Sequence, residues 1–224
     1  MLAKDYFDRL TSQHAFAMAY GANEQIKEVV KLLEQVVAIE EKVLAKDYLF
    51  RLASQHAFAM TYKTDEQIKE VVKLLEQVVV IEEKVLVKDY LSRLASQHAL
   101  AMAYGANEQI KEAVKLLEQV VAIKEKVLAK DHFFRLASQH AFAMAYEVDE
   151  QVKEAIKLLE QVVAIKGKVL AEDHPSRLAS QHAFAGAYEA DEQVKEAVKL
   201  LEQVVAIEEK VLAIWSLLTF VDDV

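Results

Sequence analysis

The sequence predicts an all-α solenoid of helix-turn-helix repeats, and three observations carry that expectation. Sliding the 224 residues against themselves by 42 brings Leu2, Leu44, Leu86, Leu128, Leu170 and Leu212 into register, each opening a copy of one unit. A fixed period of about 20 to 50 residues means that each copy is one supersecondary element stacked on its neighbours. Four glycines and one proline in the whole chain leave little material for turns and point to long helices with short connections. Finally, apolar residues inside each copy recur at helical spacing, with no strand-period alternation. Five copies follow, at 2–43, 44–85, 86–127, 128–169 and 170–211, and then a segment at 212–224 expected to form a short C-terminal capping helix.

Each copy divides into two helices. In the fifth, Leu178, Phe184, Ala185 and Tyr188 define a first helix, A, from about residue 176 to 189. A second, B, of about 20 residues and roughly 30 Å, places Val194, Ala197, Val198, Leu201, Val204, Val205 and Val211 on one broad face, widened by Leu200 and Ile207. Lys195, Lys199 and Glu202 fall on the expected solvent face. Asn23, Asp65, Asn107, Asp149 and Asp191, each followed by Glu, are expected to cap helix B at its start. Asp5, Asp47, Asp89, Asp131 and Asp173 are candidates to cap helix A, with Pro175 in a first turn that tolerates it.

With 54% hydrophobic and 28% charged residues, the chain has material for a real core and is too apolar for disorder. A net charge of −9 argues against nucleic acid or an anionic membrane as partner, since either needs a basic face. Without cysteine there is no disulfide, thiolate metal site or cysteine nucleophile. The apolar run from Val211 to Val221 falls far short of the roughly 20 residues of a membrane span, no signal peptide precedes the first copy, and a cytoplasmic location is expected.

The residues resemble the tetratricopeptide repeats, in the longer 42-residue form of kinesin light chains and of fungal Nod-like receptors. The likeness spans residues 2 to 211. It rests on a small residue and an aromatic in helix A, here Ala185 and Tyr188, and on Ala197, Leu201 and Val204 in helix B. The fungal type adds an acid, His-Pro and a Leu ahead of helix A, matched by Asp173, His174, Pro175 and Leu178. Two departures stand out: four copies lack the proline, and Glu24, Glu66, Glu108, Glu150 and Glu192 occupy the A–B turn where the family usually has glycine. The resemblance implies a right-handed superhelix with helices A lining a concave face that binds a peptide or partner helix.

That mapping places His14, His56, His98, His140 and His182 in the groove, followed four residues later by Met18, Met60, Met102, Met144 and Gly186. A ladder of imidazole and thioether would suit soft metals or a pH-sensitive groove. The plainer reading, adopted here, is a packing histidine copied by duplication, with no metal and no cofactor. Gly21, Lys63, Gly105, Glu147 and Glu189 end helix A and differ between copies, which makes them candidates for specificity, whereas helix B hardly varies. Arg9, Arg51, Arg93, Arg135 and Arg177 are read mainly as partners of helix-B acids and secondarily as anion ligands. No catalytic motif is present, so an enzyme is not expected.

The first copy begins at once after Met1, with no separate cap, and the last gives way to Ile-Trp-Ser-Leu-Leu-Thr-Phe-Val at 214–221. Ile214, Trp215, Leu218 and Phe220 in that segment are candidates for self-association, since its apolar residues exceed what one helix face hides. The expected function is a scaffold holding a protein or peptide partner. The alternative is a self-assembling protein, a dimer or head-to-tail filament formed through its ends.

Overall fold

The computed structural model describes residues 26–59 and 68–219, with side chains described for 31–59 and 68–213. All regular structure among the described residues is helical. The order is α1 (Ile26–Val43), α2 (Leu49–Ala59), α3 (Ile68–Val85), α4 (Leu91–Ala106), α5 (Ile110–Val127), α6 (Phe133–Val148), α7 (Val152–Val169), α8 (Pro175–Ala190) and α9 (Val194–Thr219). The odd-numbered helices are the B type and the even-numbered the A type. Residues 212–219 are helical too, as a continuation of the 26-residue α9 without a break rather than as a separate short helix. By contact pattern the chain forms two units, Met1–Leu116 and Leu117–Val224, with the boundary inside α5.

Within each unit helices consecutive in sequence pack on one another, so that α3 lies against both α2 and α4, and α7 against both α6 and α8. In the first unit Leu33 and Val37 of α1 meet Phe58 of α2. Val71, Val72, Leu75 and Val79 of α3 pack on Ala59 of α2 and on Ala99, Leu100 and Ala103 of α4. In the second unit Ala155 and Leu159 of α7 lie between Ala143 of α6 and Phe184 and Ala187 of α8. Alanine at these crossings lets the backbones approach, and the leucines fill the space between them, so Leu33, Leu75 and Leu159 are fully buried. One helical turn apart, Phe142 and Tyr146 stack at 4.2 Å, and Phe184 and Tyr188 at 4.5 Å.

The turns correct two expectations. Asn107, Asp149 and Asp191 are not N-caps of helix B; they close α4, α6 and α8 as C-caps. Glu108, Glu150 and Glu192 follow at φ 60°. Gln109 N–H reaches back to Tyr104 O at 2.9 Å and Glu108 N–H to Gly105 O at 3.2 Å, the two bonds of a Schellman turn. The same pair recurs at Gln151 and Gln193. Each left-handed glutamate thus stands at the position a Cβ disfavours, where the family prefers glycine. The Asp side chains instead accept from the Gln two residues on, Gln151 and Gln193, each at 2.6 Å. Asn23 and Asp65 lie outside the described residues.

Helix A is likewise capped one residue later than the aspartates suggested. His132 Nδ1 accepts from Phe134 N–H at 3.2 Å and His174 Nδ1 from Ser176 N–H at 3.1 Å, while Asp131 and Asp173 sit in the preceding turn. Pro175 occupies the first turn of α8. The corresponding residue of α4, Tyr90, makes no side-chain cap bond.

The junction from helix B to the next helix A is polar at one edge. Arg51, Arg93, Arg135 and Arg177 each donate from Nη1 to a carbonyl of the connecting turn, that of Leu44, Leu86, Leu128 or Leu170, at 3.1–3.2 Å. The first three also face a helix-B carboxylate, Glu41, Glu83 or Glu125, at 3.3–3.7 Å. The same carboxylates accept from Gln55, Gln97 and Gln139. These arginines staple the repeats together, and their guanidinium groups are largely buried in doing so.

Candidate interaction surface

The open face of each helix A follows from which positions the B helices cover. On α4, Leu91, Ala95, His98 and Met102 share one stripe at spacings of four, three and four residues. Leu91 and Met102 are each 49% exposed. On α6 the stripe is Phe133, Ala137, His140, Met144 and Val148, with Phe133 62% and Val148 61% exposed. On α8, Pro175, Ala179, His182, Gly186 and Ala190 continue the pattern in smaller residues. Exposed apolar side chains of this size, recurring at the same repeat positions, make a surface that water covers poorly.

In the first unit the stripe ends in a cleft of about 730 Å³ at the starts of α2 and α4, lined by Asp47, Tyr48, Leu49, Phe50, Ala53, Tyr90 and Ser92. At the matching start of α6 in the second unit, the Phe134 ring lies 5.7 Å from both His132 and Phe133.

Two of these helix-A histidines, His56 and His140, are tied to the next helix A. His56 Nδ1 lies 3.2 Å from Ser96 Oγ, and His140 Nδ1 lies 3.2 Å from Ser180 Oγ. Burial lowers the pKa of both, and for His140 the charge of Lys166 adds to the effect. Those serines also meet a buried charge on helix B. Ser54 Oγ donates to Glu40 at 3.2 Å, and Ser96 bonds Glu82. In the second unit Lys124 Nζ donates to Ser138 Oγ at 2.7 Å and Lys166 Nζ to Ser180 Oγ at 2.6 Å. Glu82, Ser96 and His56 therefore form an acid–serine–histidine line, but with the acid on the serine. No base withdraws the hydroxyl proton while an acid orients that base, and Ser96 is buried, so the line is a structural junction and lacks the geometry of a nucleophile.

Sequence reasoning missed this buried charge. Glu40, Glu82, Lys124 and Lys166 sit on helix B, which reads as nearly invariant, and all four are buried. The available signal was a charge reversal at a fixed repeat position opposite a serine that never changes.

Of the other expected site residues, Gly105 is helical with open space around its Cα, and Glu189 is exposed. Glu147 is half-buried on α6, its carboxyl pushed up by that burial. Its Oε1 lies 3.7 Å from where a Cβ on Gly186 would stand, and its Oε2 is buried without a hydrogen-bond partner. Thus Glu147 lies beside Gly186, the position at which the other four copies carry methionine. His14, Met18, Gly21, Met60, Lys63 and Phe220 lie outside the described residues. Ile214, Trp215 and Leu218 belong to the helical backbone of α9. Among the described residues, no three His, Asp or Glu side chains gather as a metal site would require, and no helix is long and apolar enough to cross a membrane.

The family model of the tetratricopeptide repeat matches residues 90–168 and 134–210. The chain belongs to the tetratricopeptide-repeat family. A solved structure of a Podosopora anserina protein with nearly identical TPR-like repeats, described as a kinesin light chain, is 57% identical, with 91% of this chain and 96% of that one covered at a TM-score of 0.77. A point variant of that protein, also solved, is 56% identical, with 92% and 97% covered at a TM-score of 0.79. The apo form of RapI shares the fold at 10% identity, with 90% and 71% covered and a TM-score of 0.74. Comparison with curated proteins returned no match. The tetratricopeptide repeats explain the small residues at the A–B crossings, Ala185 and Ala197, which are almost fully buried here.

Proposed function

We propose that this tetratricopeptide-repeat chain is a protein-interaction scaffold whose helix-A stripes hold an apolar peptide or helix of a partner. The observation that carries the reading is the row of exposed apolar residues that recurs in each unit, Leu91 and Met102 on α4 and Phe133, Met144 and Val148 on α6, beside helices whose other faces are packed. A partner that covers two such side chains removes enough apolar surface to offset part of its ordering cost. An array of immobilised 12-residue peptides, varying the number and spacing of Leu, Met and Phe, tests it. Peptides with two or more apolar anchors are expected to bind, and Phe133→Ser with Met144→Glu to weaken them at least tenfold. Binding that survives these changes and is lost on Lys157→Glu, on the exposed face of α7, would move the site to the helix-B surface and end this reading.

Self-association is the second reading, supported by α9. Val198, Val205 and Leu212 are all exposed on that helix, whereas Val72 and Val79, at the positions of Val198 and Val205, are buried in α3. Light scattering across a hundredfold concentration range decides it, a constant monomer mass counting against it.

A further inference from the structure

Helix α9 leaves open the face that α3 and α7 cover with the next helix A. Val79 is 6% exposed under Ala99 and Leu100 of α4, and its counterpart Val205 is 47% exposed. The polar edge is open as well. In the internal junctions Ser96 lies between Glu82 and His56, and Ser180 between Lys166 and His140. At α9 no serine intervenes among the described residues, and the two groups that one would separate, His182 Nε2 and Glu208 Oε1, face each other at 3.4 Å with both side chains about half exposed. Glu209, equivalent to the Glu41 and Glu83 that receive arginine and glutamine, is exposed too. Because α9 runs as one helix to Thr219, residues 212–219 do not turn back as a next helix A would.

The segment that fits is already in the sequence. Residues 9–16, Arg-Leu-Thr-Ser-Gln-His-Ala-Phe, repeat residues 51–58 except at Thr11, and the counterpart of Thr11, Ala53, is exposed. Residues 51–58 are the ones that seat on α1 through Ser54 to Glu40, Gln55 to Glu41 and Arg51 to Glu41. Glu208 and Glu209 reproduce Glu40 and Glu41, whereas α5 and α7 carry Lys124 with Glu125 and Lys166 with Gly167. The open face thus has the acidic chemistry of the early junctions and the apolar shape common to them all.

We propose that α9 of one copy receives residues 9–16 of a second copy, with Ser12 entering between Glu208 and His182 and with Arg9 and Gln13 on Glu209. This rests on the self-association reading and names its surface. The contact is heterologous, so each copy still offers one free end and the assembly grows head to tail.

Because the chain has no cysteine, single thiols report the contact. Ser12→Cys and Glu208→Cys are made separately in the full chain and treated, alone and mixed, with a short bis-maleimide. A covalent dimer from the mixture and from neither variant alone is expected. On the otherwise unchanged chain, Val205→Asp is expected to lower the scattering mass at least twofold at high concentration. A dimer from Glu208→Cys alone would mean that two α9 faces meet symmetrically, which overturns this docking and leaves self-association standing. So would an oligomer whose mass Val205→Asp does not change. A monomer at every concentration would overturn both.

Discussion

The two units solve one packing problem with opposite charges. At the same place on helix B, facing the next helix A, the first unit buries Glu40 and Glu82 and the second buries Lys124 and Lys166. The helices, their lengths and the facing serine hardly differ. The substitution is tolerated because a serine hydroxyl both donates and accepts, rotating to suit its partner. It donates to the carboxylates and accepts from the ammonium groups. The ammonium groups find further acceptors, Phe134 O for Lys124 and Ser176 O for Lys166. The carboxylates fare worse, since Oε2 of both Glu40 and Glu82 is buried without a partner. Neither charge is well compensated, and burial pushes each toward its neutral form.

The largest consequence is that the units respond oppositely to pH. Burial, opposed by Ser54 and Arg51, raises Glu40 from 4.5 to about 7. The folded state therefore holds this proton more tightly than the unfolded one, and stability is lost as pH rises from 4.5 through 7. Burial lowers Lys124 from 10.5 to about 8, so here the folded state gives up its proton more easily and stability is gained as pH rises from 8 through 10.5. Each shift corresponds to about 3 kcal/mol at full effect. Hydrogen exchange resolved by helix and corrected for intrinsic rates is expected to show α1 and α2 loosening between pH 5 and 7.5 while α6 tightens above pH 8. Glu40→Gln should abolish the first trend and Lys124→Met the second. A common trend in both units would remove the distinction.

A smaller effect isolates one defect in the second unit. Where Glu41, Glu83 and Glu125 face an arginine, α7 has Gly167, and among the described residues Arg177 Nη1 donates to the Gly167 and Leu170 carbonyls, at 3.4 and 3.2 Å. Glycine inside a helix costs about 1 kcal/mol, and a half-exposed ion pair contributes about 0.2–1 kcal/mol. Space is available, since a Cβ there would meet the Arg177 guanidinium carbon only at 4.0 Å. Gly167→Glu is therefore expected to stabilise the chain by about 1–2 kcal/mol, seen as a higher urea midpoint at unchanged slope. The reverse change, Glu125→Gly, should lower the midpoint comparably. Without these shifts, the carboxylate is not part of what holds a junction together.

The helix pairing was legible because the period, the scarcity of glycine and the apolar spacing all impose one architecture. The turns were less so. An Asp or Asn followed by Glu reads as the start of a helix, yet at Asn107, Asp149 and Asp191 it ends one, because the glutamate adopts φ 60° and closes a Schellman turn. A sequence pattern shows which residue can cap but not which side of the turn it serves. The buried charges were missed for a related reason: Lys and Glu on a helix read as its solvent face, and only packing shows that Glu40 and Lys166 point between helices. The exposed stripe was partly legible, since the four-residue His–Met spacing places it on one face, but the seating of those histidines on the next repeat's serine depends on contacts across some 40 residues of chain.

The smallest expected effect is a proton position. With Glu82 ionised, Ser96 gives its only proton to that carboxylate, so the bond between Ser96 and His56 must be donated by the imidazole, fixing the proton on Nδ1. Ser180 accepts from Lys166 and keeps its own proton free to turn toward His140 Nδ1, which leaves the His140 proton on Nε2; turned to Ser176 O instead, the hydroxyl would take a proton from Nδ1. Both rings have lowered pKa values and are neutral at pH 8, where nitrogen chemical shifts distinguish the two tautomers. His56 is expected to show a protonated Nδ1 and His140 a protonated Nε2, and exchanging the charges by Glu82→Lys and Lys166→Glu should exchange the tautomers. Identical tautomers in the parent would mean that the hydroxyls point the same way in both units, and the serine would then not be the group that adapts one junction to either charge.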